Sequence, residues 1–152
     1  MATKIKPLGP LPIEFNEELH QYIWTPTGEV MGISVTGVLS VNKTASQLAN
    51  INKHKATWAP RGLHVHASLE HKLKGLPFDI DPVYAEWVTP LLAHPFWETF
   101  EPIAIEHRLC DLSRGVGGSL DALGYDNFTG KLVLLDLKSQ SSAKYGTYST
   151  DA

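Results

Sequence analysis

Three carboxylates and one amine set the chemistry open to this sequence: Glu106, Asp121, Asp136 and Lys138. They fall in the stretch EHRLCDLSRGVGGSLDALGYDNFTGKLVLLDLK, whose alternating apolar residues and two Gly/Asp/Asn-rich turns predict three short strands. Opposed residues of an antiparallel hairpin sit symmetrically about the turn and point to the same face. Glu106 and Asp121 are symmetric about a point in DLSRGVGG, and Asp121 and Asp136 about a point in DNFTG. Regular hairpins would therefore place three carboxylates side by side, with Lys138, two residues beyond Asp136, on the same face. Like charges directly opposed destabilise a sheet, so such a row calls for a proton, a cation or the lysine. Carboxylate oxygens are the donors that hard divalent cations such as Mg²⁺ prefer. A bulge at Gly117-Gly118 would turn Glu106 away from Asp121, and solvated acids on an outer strand face are the plain alternative. The run Leu132 to Leu135 predicts a last strand buried on both faces.

The pattern Glu106…Gly118-Ser-Leu-Asp121…Leu-Leu-Asp136-Leu-Lys138-Ser resembles the core of the PD-(D/E)XK nuclease superfamily, and within it the RecB-like exonucleases. The resemblance implies an α/β fold with a mixed central sheet flanked by helices. It also implies a metal-dependent nuclease that hydrolyses phosphodiester bonds in DNA, at ends or in single strands. Carried over, Asp121 and Asp136 are metal ligands, Leu137 lends its backbone carbonyl, and Lys138 is the catalytic lysine. Upstream, Gly62-x-x-x-His66-x-x-x-Glu70 is similar to the helix that supplies a histidine ligand in that group, which makes His66 the corresponding ligand here. The implied cofactor is one or two Mg²⁺ or Mn²⁺ ions, with Glu106 able to bind a second ion or a water. Glu70, Ser139 and Gln140 are the candidate substrate-binding positions; Glu70 could orient His66, meet DNA through water, or be a surface acid. The family's Gln-x-x-x-Tyr helix after the lysine is not matched, because Lys144 stands four residues after Gln140. A minimal variant, a fragment, a homo-oligomer or a partner chain that supplies the helix would each account for this. The segment His20-x-Tyr22…Gly28…Ile33-Ser-Val-Thr36 also resembles one that precedes the core in phage and RecB-like members. For His20 and Tyr22, an N-terminal hairpin packed on the core is the simpler reading.

The elements that must position these groups can be read in chain order. Residues 1–40 predict an extended arm followed by turns and short strands, the last entering a helix. Thr44 to His54 reads as a helix capped by Thr44, broken by Trp58-Ala-Pro60. A second helix, 61–75, carries His66 and stops at Gly75, with Val65, Leu69 and Leu73 as its buried stripe. His64 lies two residues from His66 and so points elsewhere. Asp81-Pro82 opens a helix with Val83, Trp87 and Leu91 on one face and Pro90 in its last turns. Phe96, Trp97 and Phe100 read as core rather than as base-stacking platforms. Residues 103–139 form the acidic meander, all within a single domain spanning 1–152.

Composition narrows the classes. A 152-residue chain with 43% hydrophobic and 19% charged residues suits one globular domain. Its net charge of −3 offers no global positive field for nucleic acid, although Lys53, Lys55 and Arg61, and then Lys72 and Lys74, cluster. The single cysteine, Cys110, excludes a disulfide framework and an iron–sulphur cluster held by this chain alone. No membrane-spanning run or signal-peptide core is present, so a soluble cytoplasmic protein is expected. Three other classes fit the same acids: a catalytically silent nucleic-acid-binding or assembly module, a metal-free hydrolase using Glu106 and Asp121 as an acid–base pair, and a structural domain.

Overall fold

Residues 6–139 are described by a computed structural model, in which helices combine with two sheets in a mixed α/β arrangement. Gln140 and the Ser/Thr-rich segment after it lie outside the described residues, as do residues 1–5 of the arm. Strands β1 (Ile13–Asn16), β2 (Gln21–Trp24) and β3 (Glu29–Val30) form a small antiparallel sheet. Asn16 tightens its first turn by accepting from the Leu19 amide at 2.9 Å. Strand β4 (Ile33–Ser34) leads into helix α1 (Val35–Ser40), and Ser34 caps that helix by accepting from the Gly37 amide at 3.0 Å.

Helix α2 (Ala45–Lys53) starts on a reciprocal capping box between Thr44 and Gln47. Helix α3 (Lys55–Lys74) then follows with only His54 between them. The expected break at Trp58-Ala-Pro60 is therefore displaced to His54, and the histidine-bearing helix begins at Lys55 rather than at residue 61. Pro60 forgoes one helical hydrogen bond, but Arg61, Val65, Ser68 and Leu69 are buried in the turns that follow, and that packing carries the helix through. Trp58 pins the junction by donating its indole N–H to the Ile51 carbonyl at 2.9 Å. At the far end Gly75 takes the left-handed conformation, φ 66°, that closes the helix.

A single 3₁₀ turn, Pro82–Tyr84, precedes helix α4 (Ala85–Leu92). Because the α-helix starts at Ala85, its phase differs from the expected one. Val88 is the fully buried residue, Val83 is exposed, and Trp87 lies under the Arg61 guanidinium, 5.0 Å from ring to carbon. Phe96, Trp97 and Phe100 stack on one another as core.

The second sheet is built on strand β6 (Val116–Asp126). Strand β5 (Phe100–Asp111), which begins before the expected Ile103, takes one edge of β6 in antiparallel register. The other edge is shared. Strand β7 (Lys131–Leu135) pairs antiparallel with Ala122–Asp126, and β4 pairs parallel with Val116 and Gly117. Buried Asp126 holds the β6–β7 turn by accepting from Thr99, Phe128 and Thr129. The doubly buried last strand is not observed: β7 lies at an edge, with Leu132 54% and Leu134 65% exposed. No helix among the described residues is long and apolar enough to cross a membrane.

The small hairpin seats on the second sheet where a side chain is missing. A Cβ on Gly117 would fall 2.5 Å from the Cβ of Tyr22, so glycine is what allows β2 to lie against β6. Gly117→Ala is expected to lower stability by about 1–3 kcal/mol, measured as a reduced urea midpoint with an unchanged m-value.

Candidate functional site

Asp121 sits at the middle of β6, with one carboxylate oxygen turned to α3 and the other to the segment after β7. Its Oδ1 is 3.3 Å from His66 Nδ1, and its Oδ2 accepts the Leu137 amide at 2.5 Å. Glu106 Oε1 lies 4.0 Å from the same histidine nitrogen. The register places them as the turn symmetry requires. Ile105 pairs with Ala122 and His107 with Leu120, which brackets Glu106 opposite Asp121. No bulge intervenes at Gly117-Gly118, both of which stay in register; the one irregularity lies between Pro102 and Ala104. Ala122 pairs with Leu135, so Asp136 is the next residue facing Asp121, just past the end of β7.

His66 reaches the acids because of its position on α3. Val65 and Leu69 are buried in the core, and His66, one step round the helix, stands half-buried at the rim. Glu106 is held with φ 45°, a left-handed conformation that costs a non-glycine residue about 1–2 kcal/mol. Such strain persists only where the surroundings enforce it.

His66, Glu106 and Asp121 each offer one ligand atom, and the three atoms lie within 4.8 Å of one another. An ion bound at about 2.1 Å holds two ligands at most about 4.2 Å apart. Only opposed ligands are that far apart and neighbouring ones lie about 3.0 Å apart, so the trio has to draw in by about an ångström to close on a cation. One imidazole and two carboxylates form a donor set that could hold a divalent cation.

The other candidates divide. Asp136 and Lys138 line one cleft of about 460 Å³ with Asp121, but Asp136 stands outside the ligand trio. Its carboxylate accepts from Lys138 Nζ at 2.7 Å, and the two side chains are 68% and 70% exposed. An ion pair this open contributes little to stability and can be rearranged. Leu137 contributes its amide to Asp121 rather than a demonstrated carbonyl contact. Ser139 passes beside Gly62 of α3, 3.9 Å from where a Cβ would stand. Glu70 does not orient His66: Lys74 claims its carboxylate at 2.5 Å, one helical turn on. Gln140 lies outside the described residues. His64, as expected, does not join His66; it accepts from the Asp81 amide at 3.1 Å and packs against Phe78 and Tyr84.

The opposite wall of the cleft was not marked as functional by the sequence. Tyr22, Ser34 and Thr36 line it there. The only prior signal was the segment His20 to Thr36, whose residues come together through the parallel pairing of β4 with β6. No family model, curated protein sequence or solved structure matches the chain.

Electrostatics couple the trio. The neighbouring carboxylates of Asp121, and then of Glu106, lift the His66 pKa from 6.5 to about 10 against the opposing effect of burial. For Asp121, burial is the largest influence and pushes the carboxyl up. Hydrogen bonds from His66 and the Leu137 amide, with the charges of His66 and Lys138, together outweigh it and hold the pKa below 3.8. The stabilising effect of charged His66 is therefore complete below pH 6.5 and lost as pH rises towards 10. That of ionised Asp121 is present above pH 3.8 and lost as pH falls through its lower folded value. In chelator, urea midpoints should fall through the alkaline window, and His66→Gln should flatten that limb. Because a protonated imidazole must lose its proton to ligate, Mn²⁺ binding at neutral pH should release about one proton. Calorimetric heats that vary with the ionisation enthalpy of the buffer would show it.

Proposed function

We propose that this chain is a metal-dependent nuclease of the PD-(D/E)XK type, hydrolysing phosphodiester bonds in DNA as an exonuclease on ends or single strands. One observation carries the reading: His66, Glu106 and Asp121 gather their donor atoms within 4.8 Å beside a cleft that also holds Asp136 and Lys138. Three elements far apart in sequence converge there, in the order helix histidine, hairpin acids and Asp-x-Lys.

A bound Mg²⁺ or Mn²⁺ would supply Lewis acidity at the scissile phosphate. The rest falls to side chains. His66, Glu106 and Asp121 would hold the cation, while Asp136, which lines the same cleft, is paired with Lys138. The Leu137 amide keeps Asp121 Oδ2 in place. Lys138, whose side chain is exposed, would leave Asp136 to orient the attacking water and offset charge building on the phosphate.

A second reading, a catalytically silent nucleic-acid-binding or assembly module, is favoured by the exposed ion pair of Asp136 with Lys138. Metal titration separates the two. For the nuclease, Mn²⁺ binds stoichiometrically, and Asp121→Asn removes that binding while the circular dichroism spectrum is kept. Lys138→Ala should retain Mn²⁺ but lower the cleavage rate of fluorescent DNA by about 10²–10³-fold, with no change in melting temperature. Cleavage that survives EDTA, or wild-type protein that binds no Mn²⁺, would refute the proposal.

A further inference from the structure

Towards the C-terminal end of α3, beyond His66, lies a hollow of about 420 Å³ that the acid site does not use. Lys72 and Leu73 of α3 line it together with Phe100 of β5. The 3₁₀ turn Pro95–Glu98 contributes Trp97 and Glu98, and its capping residue His94 lines the hollow too. We infer that this hollow binds a small zwitterion with an aromatic body, of the class of a free aromatic amino acid. It shares no lining residue with the acid cleft, and the inference does not require the nuclease reading.

The charges in this lining are unspent. Elsewhere on the surface close opposite charges pair, as Lys74 does with Glu70 and Lys138 with Asp136. Lys72 and Glu98 line one hollow, yet among the described residues neither makes an ion pair. An unpaired ammonium and an unpaired carboxylate in one lining are complementary to a ligand that carries both signs. His94 adds a donor. Its Nδ1 accepts from the Phe96 amide at 3.2 Å, which leaves the proton of the neutral ring on Nε2.

The rest of the lining offers apolar surface. Trp97 donates its indole N–H to the Leu91 carbonyl at 2.5 Å, so its ring is what remains for a ligand. Phe100 is buried, and Leu73 and Trp97 are half-buried. An apolar body covers such surface favourably, and an aromatic one adds edge or offset ring contacts. The volume falls within the range of about 300–1,000 Å³ that small-molecule sites occupy. Charge then selects the ligand. A mononucleotide brings a phosphate of about −1.5 to −2, which meets a single lysine and is repelled by Glu98. A zwitterion is neutral overall and satisfies both groups.

The test is a titration of ¹⁵N-labelled protein with unlabelled L-phenylalanine, followed through amide and indole chemical shifts. Signals of Lys72, Leu73, His94, Trp97 and Phe100 should move saturably, with a dissociation constant of about 1 mM or below. N-acetylphenylalanine lacks the ammonium and phenylalaninamide lacks the carboxylate. Each should bind about three- to fivefold more weakly, the scale of one exposed charge pair. Glu98→Gln should erase the preference over the acetylated compound, and Lys72→Met the preference over the amide. Both side chains are exposed, so the remaining spectrum should stay unchanged in either variant. Deoxyadenosine monophosphate should bind more weakly than phenylalanine. No saturable shift, shifts confined to other parts of the chain, preferences that survive both substitutions, or tighter binding of the mononucleotide would overturn the site. Mn²⁺ titration reads the acid trio alone, so the two readings fail separately.

Discussion

The site depends on one half-buried carboxylate whose two oxygens face different parts of the chain. Asp121, its side chain only 13% exposed, meets His66 of α3 through one oxygen and the Leu137 amide through the other. An ionised group so placed is costly unless both oxygens are satisfied. Here a cationic imidazole and a backbone N–H do so, and that need fixes both the rotation of α3 and the path of the chain after β7. The neighbouring acids differ in kind. Glu106 is brought in at the cost of a left-handed backbone, whereas Asp136 is left largely in water against Lys138.

How much of this could be read beforehand follows from how local each determinant is. The alignment of Glu106, Asp121 and Asp136 was legible because two turns set it, and turn symmetry needs only counting. The Asp126 hydrogen bonds to Thr99 and Thr129 show how firmly the second turn is held. His66 was placed by the four-residue recurrence of Val65 and Leu69, which holds even though the helix starts six residues earlier than expected.

Features decided by tertiary partners were not legible. Leu132 and Leu134 have the composition of a strand covered on both faces, yet nothing among the described residues packs over them. Composition records what a strand tolerates, not what lies above it. Pro60 breaks an isolated helix, but burial of Arg61, Val65 and Leu69 outweighs one missing hydrogen bond. Glu70 had the right spacing to assist His66, and Lys74 at the same spacing on the other side took its charge instead. The wall formed by Tyr22, Ser34 and Thr36 is the extreme case, since it exists only through pairing between opposite ends of the fold.

That pairing consists of two residue pairs, Ile33 with Val116 and Ser34 with Gly117. Its partners come from early and late in the chain, so the loop it closes is long and its formation waits on β6. So short a seam is also where the native state opens most cheaply, as local unfolding selects regions with few buried contacts. On this ground the rim made by β4 and α1 is expected to open before the rest of the sheet. Amide protons of β4 should exchange with solvent well before those along β5 and the middle of β6, giving the cleft a door on a timescale set by one weak ladder.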